Sequence, residues 1–170
     1  FSGLNSPEGD FKFDVLVDED FNIFILNAFG EFGRSKATGN YYQKWSPLAY
    51  KFDIDGICFP QDLNAWMPDW WDRIWPDFEF PSETPYGKFV IEGIWGGLPG
   101  NSLTLGSVEA ANFKFRNLPL TSSSISVKVD GNSTDIIAES IRHNDKSITG
   151  NLKFPRQLSD SPYFIEFDFD

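Results

Sequence analysis

Proton transfer near neutral pH usually falls to histidine, and this 170-residue sequence contains one, His143. It stands in the polar string Arg142-His143-Asn144-Asp145 beside a turn signal, and no Gly-x-Ser-x-Gly elbow supplies a nucleophile. A solvated turn residue fits that setting better than a catalytic base. Paired carboxylates could cleave a glycosidic bond if held at a fixed separation across it. Asp69, Asp72, Asp77 and Glu79 lie among tryptophans, but Asp69 and Asp72 fall on the polar side of a helical pattern, where charge serves solvation. Asp53-Ile54-Asp55-Gly56 starts like a calcium loop. The next alternate ligand position is then Ile57 and the twelfth is Asn64, so the EF-hand pattern does not continue. Asp18-Glu19-Asp20 is an acidic turn of the same unfinished kind.

The single cysteine, Cys58, forms neither an internal disulfide nor a CxxC site. No phosphate-loop or dinucleotide glycine string occurs, so nucleotides are not implied. Asn132-Ser133-Thr134 matches the glycosylation pattern, which matters only in a eukaryotic secretory setting. The expectation is a non-enzymatic protein with no metal site and no cofactor.

Tryptophan is the unusual residue type. Leu63, Trp66, Met67, Trp70, Trp71, Ile74 and Trp75 recur at the alternating intervals of three and one that make the stripe of an amphipathic helix. The spacing predicts one short helix near 60–75, with Pro68 either kinking it or opening a second turn and Pro76 ending it. Each ring can bury about 150–250 Å². Trp66, Trp70, Trp71 and Trp75 therefore either pack on a sheet or present a surface to a sugar or a protein partner; helical spacing favours packing.

The elements that would carry these residues are mostly strands. Apolar side chains alternate with polar ones at Phe11, Phe13, Val15 and Val17, and Phe21–Leu26 and Tyr50–Ile54 read as further strands. The stretch holding Gly30, Gly33 and Gly39 reads as a loop, and Asp55-Gly56 as a turn. Further strands are predicted at 88–95, 102–108, 111–116, 123–129, 135–140, 147–154 and 163–169, separated by turn residues such as Gly96-Gly97, Asp130-Gly131-Asn132 and Asn144-Asp145. The result is a mainly β antiparallel meander in a single domain over 1–170, with strands in 1–59, a helix in 60–76 and a repeat-like meander in 77–170.

Lysine and arginine total 14 against 25 acidic residues, a net charge of −11. Residues 1–85 hold 6 basic and 15 acidic side chains (−9), and residues 86–170 hold 8 and 10 (−2). Such a chain repels phosphate backbones and anionic lipid surfaces, which disfavours nucleic acid as a partner. No run approaches the roughly 18 apolar residues of a membrane-spanning helix. A start at Phe1 rather than Met reads as a processed product or a piece of something longer.

The string from Phe89 to Phe154, FVIEGIWGGLPGNSLTLGSVEAANFKFRNLPLTSSSISVKVDGNSTDIIAESIRHNDKSITGNLKF, resembles the repeat unit of the AsmA-like proteins of bacterial envelopes. A strand with a glycine near its end, Glu92-Gly93, leads to GSVEAANFKF; a Pro119-Leu120 step, an alternating strand and a closing ITGNLKF with Gly150 follow. The string DLNAWMPDWWDRIW also looks like the short helix that often precedes a new unit. The sequence departs from the family in its many tryptophans and in having no N-terminal membrane helix. The resemblance implies a curved, groove-like β-sheet whose apolar face shields lipid acyl chains across the periplasm or cell envelope. On that reading the groove is lined by Phe113, Phe115, Ile125, Val127, Val129, Ile148, Leu152 and Phe154. The alternatives are a carbohydrate- or protein-binding β-sandwich that uses Trp66, Trp70, Trp71 and Trp75 as its contact surface, or a structural component of a virion or other multi-subunit assembly.

Overall fold

Alternation dominates the chain, and it folds accordingly into strands joined by short turns. The computed structural model describes residues 9–64, 75–81, 85–97, 102–155 and 164–169. The first half holds β1 (Gly9–Val17), β2 (Ile23–Phe32), β3 (Ser35–Trp45) and β4 (Leu48–Ile57). After a two-residue β5 (Phe78–Glu79) come β6 (Tyr86–Ile94), β7 (Ser102–Phe115), β8 (Leu118–Val129), β9 (Ser133–His143), β10 (Lys146–Pro155) and β11 (Phe164–Phe169). Ten of them lie side by side in the order β1-β2-β3-β4-β6-β7-β8-β9-β10-β11, every pair antiparallel, and β5 pairs with the end of β7. The sheet is open: β1 and β11 are its two edges.

Little of this sheet is covered. Among the described residues the buried apolar side chains are Phe59, Pro60, Pro85, Ala110 and Phe113. The accessible surface is 11820 Å², against about 8500 Å² for a compact globule of this length. Side chains on the broad faces are shielded mainly by their neighbours in the ladder.

Local chemistry sets the turns. The Asp18 carboxylate accepts from the Asn22 amide nitrogen, the Asn22 side chain and the Asp20 backbone at 2.8–3.0 Å, closing the connection from β1 to β2. The Asn22 side chain is the main cause that holds the Asp18 pKa below its ordinary value, with the backbone donors adding to it. Arg116 and Asn117, with φ of 48° and 68°, make a two-residue turn of the left-handed kind that matches strand twist between β7 and β8.

One corner is tied down more firmly. Asp62 Oδ2 accepts from the Arg34 backbone at 2.8 Å and from the Ser35 hydroxyl at 2.7 Å, and Ser35 Oγ accepts from the Phe59 backbone at 2.9 Å. The Arg34 guanidinium lies 3.7 Å from the Phe59 ring centroid, and Phe59 is 1% exposed. Burial, with Asp62 contributing, raises the pKa of the neighbouring Cys58 thiol.

Four expectations change. The strands expected separately at 102–108 and 111–116 are one strand, β7, in a single register with β8. The glycine-containing stretch from Gly30 to Gly39 is the β2–β3 hairpin rather than a loop: only Gly33 and Arg34 turn. Gly39 serves strand contact, since a Cβ there would lie 2.2 Å from the Asp53 carbonyl oxygen. Asp55 and Gly56 run straight through β4, and a Cβ on Gly56 would meet the Lys36 carbonyl at the same distance. The amphipathic helix near 60–75 is not found in the described residues, which form 3-10 turns at Pro60–Leu63 and Trp75–Asp77. In the first, Asp62 and Asn64 donate to carbonyls three residues back, on Phe59 and Gln61. Residues 65–74, with Trp66, Trp70 and Trp71, lie outside the described set.

Candidate functional site: an uncharged face of the sheet

Residues directly opposite one another in an antiparallel ladder point to the same side, so the register sorts side chains into two faces. One row runs Ala28, Gly39, Ile54, Phe89, Gly106, Val127, Ile136 and Leu152 through eight successive strands. A second runs Phe11, Gly30, Ala37, Gly56, Gly87, Val108, Ile125, Ala138 and Gly150. A third runs Val15, Ile25, Tyr41, Phe52, Ile91, Thr104, Val129 and Thr134. None of the three contains a charged residue, and all three share one face. Charges on that side stand beyond these rows, with Asp62 bonded to Ser35, Lys114 beside its ladder partner Glu79, and Lys146 opposite His143.

The other face takes the charges. Its rows include Thr38, Asp55, Lys88, Ser107, Ser126 and Ile137, and Asn40, Asp53, Val90, Leu105, Lys128 and Asp135. Cross-strand ion pairs form there: Lys36–Glu31 at 2.6 Å, Lys153–Asp135 at 3.1 Å and Lys88–Asp55 at 3.5 Å. Exposed pairs of this kind contribute at most about 1 kcal/mol each. A shallow depression of about 560 Å³ on this side is lined by Asn40, Asp53, Asp55 and Lys88 together with the apolar Val90 and Leu105.

The apolar face has an aromatic corner and one satisfied polar group. Tyr41 lies 4.6 Å from Phe52 and Tyr50 lies 4.4 Å from Trp95, ring centroid to centroid. Between them Gln43 is buried. Its Oε1 accepts from the Tyr41 hydroxyl at 2.6 Å and from Trp95 Nε1 at 2.7 Å, while Nε2 donates to the carbonyls of Lys44 and Ala49. Every hydrogen-bonding capacity of the amide is used, which permits a polar group among rings.

Searches for related proteins return no match: no family model, no curated protein and no solved structure.

The eight residues named from the sequence do not all share a face. Ile125, Val127, Val129, Ile148 and Leu152 stand half-buried on the uncharged face, and Phe154 takes the ladder position opposite Thr134 in the third row. Phe113 and Phe115 oppose Leu120 and Leu118, and the alternation of β8 puts those leucines on the other side from Ile125. There Phe113 stacks on Phe80 at 5.6 Å and Phe115 meets Phe78 at 4.9 Å. Trp75 joins this cluster, 5.4 Å from Phe78. Conversely, the face continues through Phe11, Tyr41, Phe52, Ile54 and Phe89, which the resemblance, carried mainly by the second half, did not reach. The two-residue turn at Arg116-Asn117 is the signal that resolves this, because it pairs odd positions of β7 with even positions of β8.

His143 sits at the β9–β10 turn, with Nδ1 on the Pro119 carbonyl and Nε2 accepting from the Asn144 side chain. Among the described residues no group of three His, Cys, Asp or Glu side chains is placed to hold a metal, and no helix is long and apolar enough to cross a membrane.

Proposed function

We propose that this chain is an AsmA-like segment of a bacterial envelope protein that holds or conducts lipid acyl chains along its uncharged face, without catalysis. The observation that carries the reading is the absence of charge from three adjacent rows across eight or nine strands, on a face that no second sheet covers among the described residues. In a closed sandwich the same rows would be sealed between two sheets. Here they stand half-buried and accessible.

The rows run across the strands, each step adding about 4.8 Å, so a nine-strand row is about 38 Å long and accommodates an extended acyl chain. A methylene removed from water gains about 0.8 kcal/mol, and one covered on a single side about half that. Curvature of the sheet into a furrow would raise the covered fraction toward the full value. Such binding needs no specific polar contact, in keeping with a lining that offers almost none.

Photo-crosslinking separates the faces directly. A photoactivatable residue at Val127 should crosslink to phospholipid in the bacterial envelope or in vesicles, whereas one at the adjacent Ser126 should not. Equal labelling at both, or none at Val127 in a folded protein, would overturn the proposal.

A further inference from the structure

An open sheet has two edges, and β1 is the edge whose side chains are all described. All nine of its residues are exposed, and beyond β2 it pairs with no strand among the described residues. Phe11, Phe13, Val15 and Val17 are each more than half exposed. An edge of this length with unpaired amide and carbonyl groups is a template for another strand. Natural edges are blunted by proline, by very short strands, by charged side chains or by bulges; β1 has no proline and runs nine residues, though it carries Lys12 between Asp10 and Asp14 and its register with β2 shifts at Phe13.

We propose that β1 pairs with β1 of a second copy of this chain, antiparallel about Phe13, to form a closed two-fold dimer. The strand Gly9-Asp10-Phe11-Lys12-Phe13-Asp14-Val15-Leu16-Val17 is self-complementary in that register. Lys12 of each copy stands opposite Asp14 of the other, giving two equivalent ion pairs on the charged face, while Phe11 opposes Val15 and Phe13 opposes Phe13 on the uncharged one. Lys12, like Lys44 and Lys146, makes no ion pair among the described residues, whereas the other six described lysines each have one. Asp14 carries one hydrogen bond, from the Asn27 side chain to Oδ2, which leaves Oδ1 for a lysine.

Competing registers are penalised by the same side chains. A slip of one residue sets Phe13 against Lys12 or Asp14 and turns the two uncharged faces to opposite sides. A slip of two sets Lys12 against Lys12 or Asp14 against Asp14. Pairing of β1 with the β11 edge of another copy would be head-to-tail and would grow without closing. It would also bring the acidic residues Glu166 and Asp168 toward a strand that already carries Asp10 and Asp14. The two-fold pairing instead closes on itself and extends the uncharged rows across both copies.

Sedimentation of the purified chain over a dilution series should show a monomer–dimer equilibrium. Lys12→Glu should raise the dissociation constant about tenfold or more by opposing like charges twice. The double exchange Lys12→Glu with Asp14→Lys should restore it, an outcome that general loss of folding would not produce. In a Cys58→Ser background, Phe13→Cys should oxidise to a cross-linked dimer because the two Cα atoms meet at the axis, and Phe11→Cys should not. A monomer at every concentration, open-ended growth, or equal crosslinking at positions 11 and 13 would overturn the proposal. Lipid crosslinking at Val127 does not depend on the dimer, so the two ideas fail separately.

Discussion

Gln43 shows what a polar residue must do to stand on the uncharged face. Replacing it with leucine keeps the volume but leaves the Tyr41 hydroxyl and the Trp95 indole without their acceptor, at a cost of about 1–3 kcal/mol. A urea midpoint lowered accordingly, with Tyr41→Phe partly compensating in the double variant, is the expected result. Asp18 makes a pH-dependent contribution of known sign. A carboxylate with a depressed folded pKa stabilises fully above its ordinary value, and the effect fades as pH falls through the lower folded one. Asp18→Asn should therefore unfold more easily than the parent at neutral pH and equally easily once the medium is acid enough to protonate the group in both states.

At the scale of strands and turns, close backbone approach decides where glycine is needed. Gly56→Val would drive a branched side chain into the Lys36 carbonyl and Ala37, and should open the β3–β4 ladder. Amide exchange in Lys36–Asn40 should accelerate far more than in β8 or β9. The same residue explains one limit of the sequence. Gly39 and Gly56 look like turn formers by type, yet their role is set by a facing strand that composition does not reveal. From 86 onward the β character was legible in the alternation and in the Asp, Asn and Gly at several turns, but 102–108 and 111–116 were read as two strands where β7 is one, and β8 starts at Leu118 rather than at 123. The division into faces was legible within each strand but not between strands. Relative phase depends on turn length and on irregularities such as the one beside Asn27, whose φ is 51°. That is why Phe113 and Phe115 were grouped with Ile125 although the Arg116-Asn117 turn separates them. The tryptophan stripe promised a helix, and its described ends are 3-10 turns, one opening at Pro60 and one centred on Pro76.

For the molecule as a whole, each strand leans chiefly on the one before and the one after it in sequence. Stability is then close to a sum over neighbouring pairs, as in repeat proteins, rather than the property of a shared core. Hydrogen exchange should accordingly show protection rising from β1 and β11 toward the middle strands, in steps that follow hairpins. A single uniform opening rate across the sheet would contradict this. It also follows that a charge introduced on the uncharged face should cost far less stability than in a buried core.

Because β1 and β11, the first and last described strands, are also the two outermost ones, a tensile load applied through them acts on backbone bonds a few at a time. Held in an optical trap, the protein should unravel as a low-force staircase with one hairpin lost per step, where a shear geometry would rupture all at once.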